Sequence, residues 1–187
     1  MSSCHPQHET AVILGSGPSA TAETIAPAKG KADVFAINKA WRLCPWASAV
    51  YATDWQFWHY NDDHGFTGAR FGRCDPAVRR DVVQIRLLTN DEGNVVTRIN
   101  PGPFLTLGFG MTSAYQATNL ACQLGYKRIA LLGIDCTPGY SPHVGFWRDS
   151  MNSAAPELMD MGIDIADCGE HSTLTGWPKT DLEAFVG

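Results

Sequence analysis

The stretch from Met111 to Asp135, MTSAYQATNLACQLGYKRIALLGID, constrains the fold more than any other. Thr112 or Ser113 is placed to cap a helix, and Ala114, Ala117, Leu120, Ala121 and Leu124 recur behind it at helical spacing. Gly125 supplies the left-handed backbone that ends a helix, with Lys127 and Arg128 beside its negative end. Ile129, Ala130, Leu131, Leu132 and Ile134 follow as a continuous apolar run, as expected of a parallel strand covered on both faces. Gly133 and Asp135 then fall at the strand's carboxyl end, the edge where open α/β sheets bind ligands. The acid at that position makes the unit a candidate site and not scaffold alone.

The rest of the chain repeats this grammar. Ala11–Leu14 reads as a strand running into the turn Gly15-Ser16-Gly17-Pro18-Ser19, where Ser19 is placed to cap a helix from Ala20 to about Lys29 and backbone amides are expected to face an anion. The third glycine of a dinucleotide fingerprint is missing. Asp33–Asn38 and Ser48–Asp54 read as further strands, ending in Asn38 and Asp54, and the second leads into the aromatic run Trp55-Gln56-Phe57-Trp58-His59-Tyr60. Strands are expected at Arg70–Cys74 and Val82–Leu87, with a hairpin through Thr89–Asn94 joining Ile85–Leu87 to Val95-Val96. After Asp135 a loop through Trp147 carries Tyr140 and His143, and His143 is the best general-base candidate because imidazole titrates near neutrality. A helix from Ser153 to Met161, a strand Ile163–Cys168 ending in Gly169-Glu170-His171-Ser172, and a closing helix Thr180–Val186 complete the pattern.

Strands alternating with helices give a Rossmann-like, doubly wound, mostly parallel sheet in a three-layer αβα sandwich. Residues 1–10 are expected as a flexible tail and residues 11–187 as a single domain. One edge then collects Gly15 to Ser19, Asn38, Asp54, Thr112, Ser113, Asp135 and Ser172, with His143 on a neighbouring loop.

Composition narrows the partners. A net charge of -5 with no basic cluster beyond Arg79-Arg80 and Lys127-Arg128 weighs against a nucleic-acid binder. The six cysteines are scattered without C-x-x-C spacing, so neither a zinc site nor a disulfide framework is signalled. The start, MSSCHPQHET, lacks a basic region followed by an apolar core, and no apolar stretch nears the ~20 residues that span a bilayer. The chain reads as cytoplasmic and reduced, with a homo-oligomer left open.

Taken together, G-S-G-P-S, A-I-N-K-A, Y-A-T-D, G-M-T-S-A-Y-Q-A and L-L-G-I-D-C resemble a superfamily with two branches. One is the archaeal-type 6-hydroxymethylpterin diphosphokinase-like family, with short relatives encoded by phages and prophages. The other is the bacterial sialyltransferases of glycosyltransferase family 42. The resemblance spans about residues 11 to 176. The sialyltransferase branch implies that Gly17, Ser19, Asn38, Ser113 and Asp135 hold a cytidine nucleotide and that His143 is the base. The chain departs from that branch with Ala114 in place of a glycine, with too short a length for the usual acceptor-binding lid, and with Tyr140 alone to match the tyrosines beside the leaving phosphate. The pterin branch implies that Asp54 and Asp135 face magnesium and ATP.

The first expectation is therefore a nucleotide-dependent transferase: a glycosyltransferase-like enzyme with a nucleotide-sugar donor and a histidine base. The alternatives are a Mg-ATP-dependent pyrophosphokinase of the hydroxymethylpterin type, and a non-catalytic phage-type binding or assembly protein that keeps the fold. An NAD-dependent oxidoreductase ranks last, since the fingerprint is incomplete.

Overall fold

β1 (Thr10–Leu14) is buried along its whole length, which places it at the middle of a sheet covered on both faces. The structure, a computed structural model, describes residues 6–61, 65–139 and 141–187. In chain order the further elements are α1 (Ala22–Ile25), β2 (Asp33–Ile37), β3 (Ala49–Ala52), α2 (Trp55–Tyr60), β4 (Ala69–Gly72), β5 (Val83–Gln84), β6 (Arg86–Leu87) and β7 (Thr106–Leu107). They are followed by α3 (Ser113–Leu124), β8 (Arg128–Leu132), α4 (Val144–Asp160), β9 (Asp164–Asp167) and α5 (Leu182–Val186).

Seven strands form one parallel sheet in the order β5-β4-β3-β2-β1-β8-β9. The chain steps outward from β1 to β5, then returns to the other side of β1 with β8 and β9. That reversal opens a crevice between the carboxyl ends of β1 and β8. Side chains alternate across the sheet. Ile13, Phe35, Tyr51, Ile129 and Leu131 pack on one face under α3 and α4. Val12, Leu14, Val34, Val50, Ala130 and Leu132 pack on the other, under the shorter α1, α2 and α5. The three-layer α/β fold is the expected one, with every sheet pairing parallel.

α3 starts at the Thr112 cap, whose hydroxyl accepts from the Tyr115 amide at 2.9 Å, and ends at Gly125 with φ 90°. Its polar side chains are turned inward too. Asn119 accepts from the amides of Asn100 (3.0 Å) and Gly108 (2.8 Å) and donates to Asn100 O. Gln123 accepts from Leu105 N and donates to Asn100 O and Thr106 O. Residues 99–108 are thereby clamped onto the helix.

Several boundaries differ from expectation. Val82–Leu87 is two strands: Ile85 N donates to Gly72 O in the main sheet, whereas Arg86 N donates to Leu105 O in a small parallel pair with β7. β4 ends at Gly72, so the chain there finds a new partner. The expected turn is present, with Thr89 bridging Val95 and Val96 N donating to Leu88 O. α4 begins at Val144, nine residues before the expected Ser153, because Met151, Ala154, Ala155 and Leu158 bury one stripe that Gly145, Ser150 and Asn152 obscure in sequence. Of the expected tail, residues 7–9 are fastened: Gln7 N and His8 N donate to the buried Asp33 carboxylate, and Glu9 O accepts from Lys127 N.

Candidate functional site

The crevice at the switch point is a cleft of about 420 Å³. It is walled by the turn Gly15–Pro18 after β1, Ile37 and Asn38 after β2, Thr53 and Asp54 after β3, Phe109 and Met111–Ala114 at the start of α3, and Gly133–Thr137 after β8. Gln116, Trp147 and Met151 complete the lining. Of the residues singled out from sequence, Gly15, Ser16, Gly17, Pro18, Asn38, Asp54, Thr112, Ser113 and Asp135 meet here. Ser19 and His143 lie outside the lining, and Tyr140 lies outside the described residues.

The turn after β1 is built differently from the expected anion cradle. Gly15 N donates to Leu132 O, Gly17 N to Gly133 O, and Ala20 N to Gly17 O. Ser19 N donates to Asp135 Oδ2 at 2.8 Å, and Ser19 Oγ accepts from His171 N at 2.9 Å. Ser19 does not cap α1: Thr21 does, in a reciprocal box with Thr24. These amides are spent on the protein's own carbonyls and on its own acid. Two glycines make room for that acid. A Cβ on Gly17 would stand 2.4 Å from Asp135 Oδ2, and one on Gly169 would stand 2.7 Å from Oδ1. Asp135, only 2% exposed, therefore bolts together the turns that follow β1, β8 and β9. Thr173 adds to this by donating to Asp135 O through N (2.9 Å) and Oγ1 (3.1 Å).

The opposite wall is a hydrogen-bonded chain. Gln116 Oε1 accepts from Tyr51 OH (2.9 Å) and Thr53 Oγ1 (2.5 Å), while its Nε2 donates to Phe109 O (2.7 Å). Ser113 Oγ accepts from Thr53 N and donates to Thr53 Oγ1, each at 3.2 Å. Burial pushes the Tyr51 phenol well up, so it acts there as a neutral donor. Gln116 and Thr53 were not singled out from sequence. Their sequence signals are the placement of Thr53 at a strand end and of Gln116 one turn into α3, and their positions inside Y-A-T-D and G-M-T-S-A-Y-Q-A.

Backbone strain concentrates at this cleft. Asn38 (φ 51°), Met111 (φ 55°) and Cys136 (φ 48°) all adopt left-handed backbone without being glycine, and all line it. Asn38 Oδ1 and Asp135 Oδ1 are buried acceptors with no hydrogen-bond partner among the described residues. The lining contains no Lys, Arg or His. His143 is exposed and forms the N-terminal boundary of α4, its ring 6.5 Å from that of Trp147, which does line the cleft.

No protein-family model matches the chain, and no curated protein sequence does. Among solved structures, the sialyltransferase CstII from Campylobacter jejuni in complex with the substrate analogue CMP-3FNeuAc aligns with a TM-score of 0.57. The alignment covers 94% of this chain and 87% of that one at 14% identity. The two share a fold. A CstII structure with cytidine-5'-monophosphate aligns with a TM-score of 0.52 over 90% of this chain and 83% of that one, again at 14% identity. A probable thiamine pyrophosphokinase from Staphylococcus saprophyticus aligns at 0.45 over 86% of this chain and 65% of that one, at 14% identity. That last likeness is too low to carry an argument.

Magnesium was expected, if anywhere, on Asp54 and Asp135. Among the described residues no group of three His, Cys, Asp or Glu side chains is placed to hold a metal ion. Asp54 is exposed, lines the cleft and has no hydrogen bond to its side chain among the described residues. Asp135 is wedged between Gly17 and Gly169 with one oxygen on the Ser19 amide, which is the setting of a clamp and a poor fit to a metal ligand. Among the described residues no helix is long and apolar enough to cross a membrane.

Proposed function

We propose that the chain is a nucleotide-dependent transferase of the glycosyltransferase type, with the donor nucleotide seated in the cleft between β1 and β8. The observation that carries this reading is the buried, unpartnered Asn38 Oδ1 in the wall of a cleft at the sheet's switch point. A buried acceptor held in strained backbone calls for an N–H or O–H from a ligand, and a base or ribose supplies one. The absence of cations from the lining favours a donor of low negative charge, a sugar linked through a nucleoside monophosphate. The CstII structures named above contain CMP or a CMP-sugar analogue, which makes a cytidine nucleotide the first donor to test.

In this reading Gly17, Asn38, Ser113 and the Thr112-capped start of α3 shape the nucleotide pocket. Asp135 fixes the turn that Gly15 to Ser19 make, acting through Ser19. His143, one turn before Trp147 on α4, takes the proton from the acceptor hydroxyl as that oxygen attacks the donor's anomeric carbon and the nucleotide leaves. No step requires a metal ion.

Calorimetric titration with CMP, UMP and ATP, each with EDTA or with magnesium, tests the reading. The expected result is CMP binding that EDTA leaves unchanged and that Asn38→Ala abolishes. Preference for Mg-ATP would instead favour the pyrophosphokinase alternative. Binding of no nucleotide would leave the non-catalytic alternative. His143→Ala should lower the transfer rate by about 10²–10⁴-fold while CMP affinity holds.

A further inference from the structure

The two ends of the cleft differ in chemistry. Its long axis follows the strand order β3-β2-β1-β8, and three strand spacings put its ends about 14 Å apart. The β2–β3 end carries Asn38, Thr53 and Asp54. The β8 end carries Ile134, Cys136 and Thr137 around the buried Asp135, and α4 adds Trp147 and Met151 there. Beyond Asp135 this second end holds no charged side chain and is largely apolar.

One face of α4 builds it. Trp147, Ser150 and Met151 stand three and four residues apart, so they share a face of the helix. Ser150 Oγ donates to Gly110 O at 2.7 Å, and a Cβ on Gly110 would stand 1.9 Å from the Tyr115 ring. Gly110 is thus pinned between α4 and α3. Met111, next in the chain, is left in left-handed backbone (φ 55°), lines the cleft and stays 46% exposed. Cys136 repeats the arrangement from the β8 side, with φ 48° and its carbonyl held by Thr173 Oγ1 at 2.9 Å. Burial pushes its thiol up to about 11, so it lines the cleft as a neutral, soft contact. Left-handed backbone at such residues is costly and concentrates at ligand clamps. Among the described residues neither side chain makes a hydrogen bond that offsets the strain; each gains only its place in the lining.

We propose that the β8–α4 end of the cleft is an acceptor subsite for an aryl glycoside, a sugar that presents its hydroxyls beside a flat apolar body. Its designation as the acceptor's site rests on the reading of the Asn38 end as the donor's. The aryl ring stacks on Trp147 and meets the thioethers of Met111 and Met151. A bare sugar would leave those groups without an apolar partner. His143, its ring 6.5 Å from that of Trp147, then stands beside the acceptor's hydroxyls.

Phenyl β-D-glucoside and methyl β-D-glucoside are titrated calorimetrically, each with and without saturating CMP. The phenyl compound should bind at least about tenfold more tightly, and CMP should change its affinity by no more than about threefold. Trp147→Ala and Met111→Gly should each cut the phenyl preference at least about threefold. Glycine accepts the left-handed backbone, so Met111→Gly should keep or raise the denaturation midpoint, which separates lost contact from lost fold. Phe146→Ala should leave the preference within about twofold, since Phe146 is 62% exposed and outside the lining. Equal binding of the two glucosides, no saturable binding of either, or wild-type preference in Trp147→Ala or Met111→Gly would overturn the proposal. Displacement of the phenyl glucoside by CMP would also overturn it, by giving both ligands one place. If the phenyl preference runs through Met111 and Trp147 but wild type binds no CMP, the donor reading fails and the aryl site stands.

Discussion

Asp135 was legible as an acid at a strand end, but its role depends on two glycines and a serine remote in sequence. Gly17 and Gly169 are small because its carboxylate fills the space of their missing Cβ atoms. Gly17→Ala forces that carboxylate aside and should cost about 1–3 kcal/mol in chemical denaturation. A variant as stable as wild type would show that the bolt is not needed. The cysteines make a second prediction at this scale. Burial pushes the Cys44 and Cys168 thiols up to about 12 from the ordinary 9.0. The folded chain keeps these protons where the unfolded chain releases them, so their stabilising contribution is full below 9.0 and lost as the pH rises towards about 12. Denaturation midpoints should fall through that window, and less steeply in Cys44→Ala; identical slopes would contradict the assignment.

At the scale of elements, α3 and β8 were the most legible pieces because two short-range signals agree. Thr112 and Gly125 bound the helix, and an unbroken apolar run marks the strand. The start of α4 was hidden because Gly145 and Ser150 break the apolar pattern while Met151 and Ala154 still bury their side chains. The segment 99–108 was hidden for another reason. Its pairings are set by amides reaching Asn119 and Gln123 on α3, a long-range choice that local sequence does not encode. Asn119→Ala leaves the buried amides of Asn100 and Gly108 without their acceptor, and each lost partner costs about 1–3 kcal/mol. The variant should be destabilised by about 2 kcal/mol or more, with earlier hydrogen exchange confined at first to residues 99–108. Uniform exchange across the sheet would argue against a local clamp.

At the scale of the whole molecule, the order β5-β4-β3-β2-β1-β8-β9 brings together residues from six separate chain segments. The convergence of Gly17, Asn38, Asp54, Ser113 and Asp135 could be anticipated because strand ends in a wound sheet share an edge. The Gln116–Tyr51–Thr53 wall and the strain at Met111 and Cys136 could not, since they arise from packing between those segments. The shared fold with CstII says how the chain is wound; the contents of the cleft say what it is suited to hold. The most direct measurement is a crystal structure determined after soaking with CMP. Density for the nucleotide should lie between the turn after β1 and the start of α3, with a ligand N–H or O–H within hydrogen-bond distance of Asn38 Oδ1. A nucleotide bound elsewhere on the surface, or a cleft that excludes CMP at concentrations saturating in solution, would contradict the account.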